Sequence, residues 1–313
     1  MSKRVIVTGG SGLLGRAVAA RLQTDESGSS STFVVQRWVF NRLRDEKTDK
    51  KVNIANKEEV EKAVAEFKPD AIIHSAAIRA PDVVEKQQDF AHSVNVLGSK
   101  YLAEAAASDN AKIIYISTDY VFDGTTPPYS ETAQPNPLNN YGKQKLAGEH
   151  AVLDNCPGAV VLRVPILYGP IEYLGEGAVD VIMKVILSRD KAVEMSHYER
   201  RYPTHVDDVA GAIRILLERH FEQSQQTSIQ GIYHWSGYEE MTKYDMTLAM
   251  ARVFSLPIDH VTPDPDPPPA TATAQRPYNS RLSCQRLLDL GARNKHSFQE
   301  GIQNALVNFV PRA

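Results

Sequence analysis

The sequence of 313 residues is long enough for one large α/β unit together with a smaller lobe. Hydrophobic residues make up 42% of it and charged residues 23%, which are the proportions of an ordinary globular protein. The formal net charge of −3, without a basic cluster, argues against nucleic-acid binding, and no apolar run approaches the roughly 20 residues that a membrane-spanning helix needs.

The start of the chain and its cysteines predict the compartment. The first strand is expected within a few residues of Met1, which leaves no room for a signal peptide. The two cysteines, Cys156 and Cys284, have neither the spacing of a metal site nor that of a disulfide framework, and we expect both to be reduced and structural. A cytoplasmic protein without a bound metal is predicted.

A glycine-rich turn follows the first predicted strand at residues 5–8 and leads at once into a helix over residues 13–22. In a dinucleotide-binding turn, Gly9 would allow the tight bend, Gly12 would let the backbone approach a pyrophosphate, and Gly15 would let the helix pack close to the strand. The free N–H groups at the start of the helix would face the phosphates. An isolated glycine triplet is a weak signal, but the strand before it and the helix after it favour dinucleotide binding.

The end of the second strand predicts which dinucleotide is bound. A polar stretch at residues 24–32 is expected to be a solvated loop before a strand over 33–40. An acid at the end of that strand would select NAD, but the chain has none before Asp45 and instead carries Arg42 and Arg44. A guanidinium matches the oxygens of a 2′-phosphate, so NADP is predicted, with a solvated basic loop as the alternative.

The next two strands are expected to border the adenine and the phosphates. A short third strand ends at residues 52–54, where Asn53 would bond the edge of the adenine and Ile54 would pack near its face. A fourth strand over 71–74 leads to small residues and then to Arg79, which is placed to reach the phosphates.

A tyrosine and a lysine four residues apart predict the chemistry. Tyr141 and Lys145 share one face of the helix that they begin, so the ammonium group would lower the pKa of the phenol and hold the nicotinamide ribose. The strand over 112–116 would deliver Thr118, whose hydroxyl would orient a carbonyl or alcohol. Asn95 would either support this site or bond within the core, and Leu167 would either contact the cofactor or only pack.

The remaining pattern alternates strands with helices and predicts a doubly wound parallel sheet of the Rossmann type with a smaller C-terminal α/β lobe. Residues 1–170, with 202–235 returning to them, would form the cofactor domain, and 171–201 with 236–313 the lobe. His205, beside helix-start acids, is interpreted as structural. Further strands are predicted at 159–164 and 231–235, helices at 57–67, 172–187, 206–219, 241–254, 284–290 and 298–309, and a stiff proline-rich loop at 264–275.

With these residues in view, the sequence resembles the extended short-chain dehydrogenase/reductase family. It is similar to the branch that holds the dTDP-4-dehydrorhamnose reductases and the regulatory (beta) subunits of methionine adenosyltransferase. The shared motifs are Ser117-Thr118-Asp119-Tyr120-Val121-Phe122 and Tyr141-Gly142-Lys143. The stretches more similar to the regulatory subunits are Arg79 with 81–85, 164–169, 201–206, and His234-Trp235-Ser236-Gly237 with Met241-Thr242-Lys243-Tyr244.

The resemblance implies NADP(H) binding and association with the catalytic subunit that makes S-adenosylmethionine. The cofactor contacts it implies are Ser11, Gly12, Leu13, Leu14, Phe40, Asn41, Arg42, Asn53, Ile54, Ser75, Arg79, Tyr141 and Leu167. Two positions depart from the pattern expected of the regulatory subunits. Asn41 stands where an arginine is expected, so 2′-phosphate binding would depend on Arg42 and Arg44, and Thr118 stands where a serine is expected.

Two functions therefore remain open. One is an NADP-binding regulatory subunit of methionine adenosyltransferase, favoured by the segments of the smaller lobe. The other is an NADPH-dependent reductase of a 4-keto-6-deoxy nucleotide sugar, favoured by the intact set of Thr118, Tyr141 and Lys145. Since cofactor binding alone also uses the tyrosine and the lysine, that set discriminates poorly between them.

Overall fold

A computed structural model describes residues 2–24, 32–222 and 228–310. Most of the loop expected at 24–32 therefore lies outside the described residues. Eleven strands occur in the described residues: β1 (Lys3–Thr8), β2 (Phe33–Val39), β3 (Asp49–Lys51), β4 (Ala71–His74), β5 (Lys112–Thr118), β6 (Val160–Val164), β7 (Leu167–Tyr168), β8 (Val193–Ser196), β9 (Thr204–His205), β10 (Gly231–His234) and β11 (Val261–Asp264).

Helices connect these strands. They are α1 (Leu13–Gln23), α2 (Lys57–Phe67), α3 (Pro81–Lys86), α4 (Gln88–His92), α5 (Gly98–Ser108), α6 (Asn140–Asn155), α7 (Val181–Leu187), α8 (Val206–Phe221), α9 (Lys243–Phe254), α10 (Gln285–Asp289) and α11 (Phe298–Leu306). A π-helical turn, Ser93–Leu97, joins α4 to α5. A 3₁₀ turn, Asp119–Val121, follows β5.

The central sheet has the order β10-β6-β5-β4-β1-β2-β3, and all its strands are parallel. This confirms the predicted doubly wound Rossmann fold. Its strands are apolar runs because helices cover both faces. Successive side chains of β1 point to opposite faces, so Val5 and Val7 pack with α1 and α8, whereas Ile6 packs with α2 and α5. Strand order reverses between β1 and β4, where α/β sheets of this kind leave a crevice.

A separate apolar core lies in the C-terminal half, between α7, α9 and α11. The methionines of α9, Met246 and Met250, are fully buried in it, so they belong to this core. Helix α9 begins with a capping box between Thr242 and Asp245. No described helix combines the length and the apolar character needed to cross a bilayer.

The helix predicted over 172–187 is wrong in its first half, since α7 begins only at Val181. Gly175 has a φ of +93°, a left-handed conformation that no α-helix contains. The carboxylate of Asp180 accepts hydrogen bonds from the backbone N–H groups of Gly175 and Gly177, the latter at 2.5 Å. These bonds fold residues 171–180 into a compact segment, which we call the 171–180 segment.

Candidate cofactor and active site

A cavity of about 660 Å³ opens at the carboxyl edge of the central sheet, where strand order reverses. Such a volume is in the range of small-molecule and cofactor sites. Sixteen of the predicted site residues line it, from segments scattered between β1 and β7: Gly9, Ser11, Gly12, Leu13, Leu14, Gly15, Phe40, Arg42, Asn53, Ile54, Ser75, Arg79, Thr118, Tyr141, Lys145 and Leu167. The other two, Asn41 and Arg44, lie outside the lining.

The glycine turn fits a dinucleotide phosphate group. Gly9 has a φ of +67°, and a Cβ on Gly15 would lie 2.2 Å from the carbonyl oxygen of Gly9, so the helix packs directly on the turn. A Cβ on Gly12 would meet only that oxygen, at 3.2 Å, and would project from the cavity wall. Gly12 caps α1 without a side-chain hydrogen bond, so the N–H groups of the first turn remain available for an anion.

The basic end of the cavity holds Arg42, whose guanidinium donates to the Ser11 carbonyl oxygen at 3.1 Å. Arg44 is anchored beside it, because its backbone N–H donates to Asp49 at 2.8 Å. The first acid after β2 in the sequence, Asp45, accepts from the backbone N–H of Lys47 and the hydroxyl of Thr48, both at 3.0 Å. The carboxylate of Asp45 is thus hydrogen-bonded within its own loop.

Arg79 lines the cavity, but its guanidinium donates to the backbone carbonyl of Glu176 in the 171–180 segment. Its expected reach toward the phosphates stays a prediction. Ser75 donates to the Thr8 carbonyl oxygen at 2.6 Å and so joins β4 to the end of β1. Asn53 accepts from the N–H of Ala55 at 3.1 Å and lies one residue before Ile54, which is buried.

Tyr141 lies in the first turn of α6 and Thr118 at the end of β5, and both line the cavity. Burial raises the pKa of Tyr141 above its ordinary value, and the nearby Thr118 hydroxyl opposes this only in part. The expectation that the lysine brings this pKa down is therefore wrong for this structure. Desolvation of the phenolate dominates the shift, and the phenol holds its proton at neutral pH.

Lys145 is buried, and its ammonium group donates to the Ile116 carbonyl oxygen at 2.7 Å and lies 4.0 Å from the centre of the Tyr115 ring. Burial lowers the pKa of Lys145 to about 7. The negative charge of Glu149, one helical turn away, raises this pKa but does not offset the burial. Glu149 is itself fully paired with Arg163, at 2.9 and 2.6 Å, and accepts from Ser117. A proton can thus leave or join Lys145 near neutral pH.

Asn95 lies in the π-helical turn and bonds the backbone of a cavity residue. Its side chain accepts from the N–H of Ile78 at 2.8 Å and donates to the Ile78 carbonyl oxygen at 3.1 Å. It also donates to Gln144 of α6 at 3.1 Å. Asn95 therefore makes core hydrogen bonds that fix the cavity wall, so both alternatives for it hold together.

Sequence reasoning missed five polar residues at this site. Asp119 is buried behind Thr118 and accepts from the Ser280 hydroxyl at 2.5 Å, and burial raises its pKa. Arg16 pairs with Glu176 at 2.5 Å, and Glu172 contacts the arginines of the basic end. The two glycines between Glu172 and Asp180 indicate a loop, and this signal could have identified the acids that the loop brings to the cavity.

His205 caps α8, since its Nδ1 accepts from the N–H of Asp207 at 3.2 Å, which fits the structural interpretation. With Asp207 and His296 it forms a cluster whose ligand atoms lie within 4.8 Å of one another. The two imidazole rings, however, stack at 3.9 Å with planes 20° apart, so their in-plane lone pairs do not converge.

Comparison with known proteins places this geometry in a family. The model of the RmlD substrate binding domain matches residues 3–310. The chain belongs to this family. Among its relatives, methionine adenosyltransferase 2 subunit beta of Mus musculus is 45% identical over 309 residues, which are 99% of this chain and 89% of that protein. The dTDP-4-dehydrorhamnose reductase of Aggregatibacter actinomycetemcomitans is 34% identical over 79% of this chain and 78% of that protein.

Solved structures of the RmlD family and its neighbours share the fold. The dTDP-4-dehydrorhamnose reductase from Bacillus anthracis in complex with NADP has a TM-score of 0.81 at 28% identity, covering 98% of this chain and all of that one. The UDP-glucose 4-epimerase of Thermus thermophilus in complex with NAD has a TM-score of 0.78 at 26% identity, covering 98% of both chains. Both complexes hold a nicotinamide dinucleotide.

Proposed function

We propose that this protein is the NADP-binding regulatory (beta) subunit of a methionine adenosyltransferase, which modulates S-adenosylmethionine synthesis in the cytoplasm by binding the catalytic subunit. One observation carries the proposal: relatives named as that subunit match 98–99% of this chain at 44–45% identity. The match spans the C-terminal lobe as well as the cofactor fold. Residues 1–170 with 202–235 would hold the cofactor, and 171–201 with 236–313 would form the lobe.

NADP as the cofactor is supported by the glycine turn and by Arg42 at the end of the cavity. The N-terminus of α1 would face the pyrophosphate, and Lys145 would hold the nicotinamide ribose. When bound, the cofactor could supply or accept a hydride. Regulation needs only its binding.

The test is to titrate the purified protein onto the catalytic subunit of the same organism, with and without NADP. We expect saturable binding that changes the kinetics or the thermal stability of the catalytic subunit. A Tyr141→Phe variant should keep this effect, since the phenol oxygen would serve proton transfer and the ring would remain. Absence of binding at micromolar concentrations would overturn the proposal.

A reductase of 4-keto-6-deoxy nucleotide sugars is the second candidate, favoured by the presence of Thr118, Tyr141 and Lys145 in the lining of one cavity. Tyr141, which holds its proton, would give it to the oxygen of the substrate carbonyl, and Thr118 would orient that oxygen. NADPH oxidation with a dTDP-4-keto-6-deoxy sugar tests this. Activity that falls at least about 100-fold in Tyr141→Phe would support it, and no activity above background would refute it.

A further inference from the structure

The arginines assigned to the 2′-phosphate already face a carboxylate. Glu172 of the 171–180 segment lies 3.3 Å from Nη1 of Arg42, contacts the guanidinium of Arg44, and lies 3.6 Å from Nη1 of Arg16. Its side chain is 30% exposed, as is that of Arg44, so water screens the contact only in part. Glu172 is 130 residues from Arg42 in the sequence, so the tertiary fold brings the two side chains together.

The segment that carries Glu172 is held firmly in place. Glu176, only 4% exposed, receives two bonds from the Arg16 guanidinium at 2.5 and 2.9 Å. The same carboxylate accepts the backbone N–H of Glu172 at 2.9 Å, and the Glu176 carbonyl accepts from Arg79. Because the backbone at Glu172 is anchored to a buried carboxylate, its side chain is presented to the basic end of the cavity.

We propose that Glu172 is a specificity-determining residue, whose carboxylate takes the place beside Arg42 and Arg44 that a 2′-phosphate needs and so narrows the preference for NADP over NAD. This inference rests on the proposed cofactor binding. A phosphate monoester carries a charge of about −1.5 to −2 at pH 7, so it must displace the carboxylate or bear its repulsion. NAD has a hydroxyl at that position, which has no such conflict and can donate to a carboxylate.

The experiment compares the dissociation constants of NADP and NAD, measured by isothermal titration calorimetry, for the wild type and for Glu172→Gln. The amide keeps the size of the side chain and removes its charge. We expect NADP to bind about two- to fivefold more tightly to the variant, the range for a partly exposed ion pair. The NAD constant should change less than twofold.

The matched control is Glu46→Gln. Glu46 is an exposed acid of the loop that carries Arg44, and the described part of the chain gives it no ion pair. The Glu46→Gln substitution also removes one negative charge near Arg44. The ratio of the NADP and NAD dissociation constants should therefore stay at the wild-type value. Adenosine 2′,5′-bisphosphate against adenosine 5′-monophosphate repeats the comparison with probes that differ only in the 2′-phosphate.

An unchanged ratio in Glu172→Gln, or weaker NADP binding, would overturn the inference, because Glu172 would then be positioning the arginines for the phosphate. If the wild type binds neither dinucleotide, the proposed function itself fails, and the two failures are thereby distinguished. Should Glu172→Gln fold poorly, Glu172→Asp withdraws the carboxylate while keeping its charge and should shift the ratio in the same direction by a smaller factor.

Discussion

Glu149 is the best-paired buried charge in the described core. It and Arg163 are each 1% exposed, and two hydrogen bonds join them below the site. Glu149→Gln would leave the Arg163 guanidinium buried without a counter-charge. We expect the free energy of unfolding, measured with urea, to fall by about 3–5 kcal/mol.

The control for that change is Glu222→Gln at the end of α8. Glu222 lies 3.5 Å from Arg219, but both side chains are more than half exposed. We expect less than about 0.5 kcal/mol of change there. Equal losses in the two variants would contradict the argument that burial makes the difference.

The lowered pKa of Lys145 predicts that the free energy of unfolding depends on pH. Its pKa is lowered to about 7 in the folded protein, whereas an unfolded lysine titrates near 10.4. Between these values the unfolded chain binds more protons, so the contribution of Lys145 to stability rises with pH from about 7.5 to 9. The slope of the free energy of unfolding should be about 1–1.4 kcal/mol per pH unit greater than in Lys145→Met.

Lys143→Met serves as the control for this slope, since Lys143 is exposed on the same helix. It should keep the wild-type pH dependence. Parallel curves for the wild type and Lys145→Met over this range would show that the lysine is charged throughout, and the argument from burial would be wrong.

The long helices and the central-sheet strands other than β3 were predictable because their signals are local. The third strand was predicted to end at residues 52–54, which is wrong, since β3 covers Asp49–Lys51. Helix α2 and strand β4 have the bounds that the sequence predicted, the former because Asn56 caps it and Pro69 follows it. The 171–180 segment was not predictable in this way. Its apolar residues continue the helical pattern of α7, whereas Asp180 and two glycines decide its conformation through bonds that the pattern does not encode.

Two glycines should respond to alanine with opposite signs. Gly175 has a φ of +93°, so Gly175→Ala should cost about 1–2 kcal/mol of unfolding free energy. Gly211 lies inside α8, and no atom lies within 4 Å of the place that an added methyl group would occupy, so Gly211→Ala should stabilise by about 0.5–1 kcal/mol. Chemical denaturation of both variants gives the test. A stabilising Gly175→Ala would contradict the left-handed conformation.

The site as a whole could be predicted only where its residues follow a strand or repeat at helical spacing. Thr118 and Tyr141 were found because a strand end and a helix start carry them. Glu172 and Ser280 were missed, because they reach the site across long sequence separations and their neighbours give no periodic signal. The cavity residues at the ends of the central strands could thus be predicted from the sequence. The second wall of the cavity, which the 171–180 segment of the C-terminal half supplies, could not.

That second wall would connect a bound cofactor to the C-terminal core. Gly177 and Ala178 line the cavity and lead through Asp180 into α7 and the core that includes α11. If both cores unfold together, NADP at 100 times its dissociation constant should raise the free energy of unfolding by about 2.7 kcal/mol. The slowest amides of β5 and of α11 should then exchange about 100-fold more slowly.

Gly12→Val is the control for this coupling. Its side chain would project from the cavity wall where the phosphates are expected, and its Cβ would meet only the Gly9 oxygen, at 3.2 Å. We expect a variant that folds but whose hydrogen exchange does not respond to NADP. Protection confined to β5 in the wild type would show that the core of α11 opens independently, and the cavity could then not transmit cofactor binding to a partner on the C-terminal lobe.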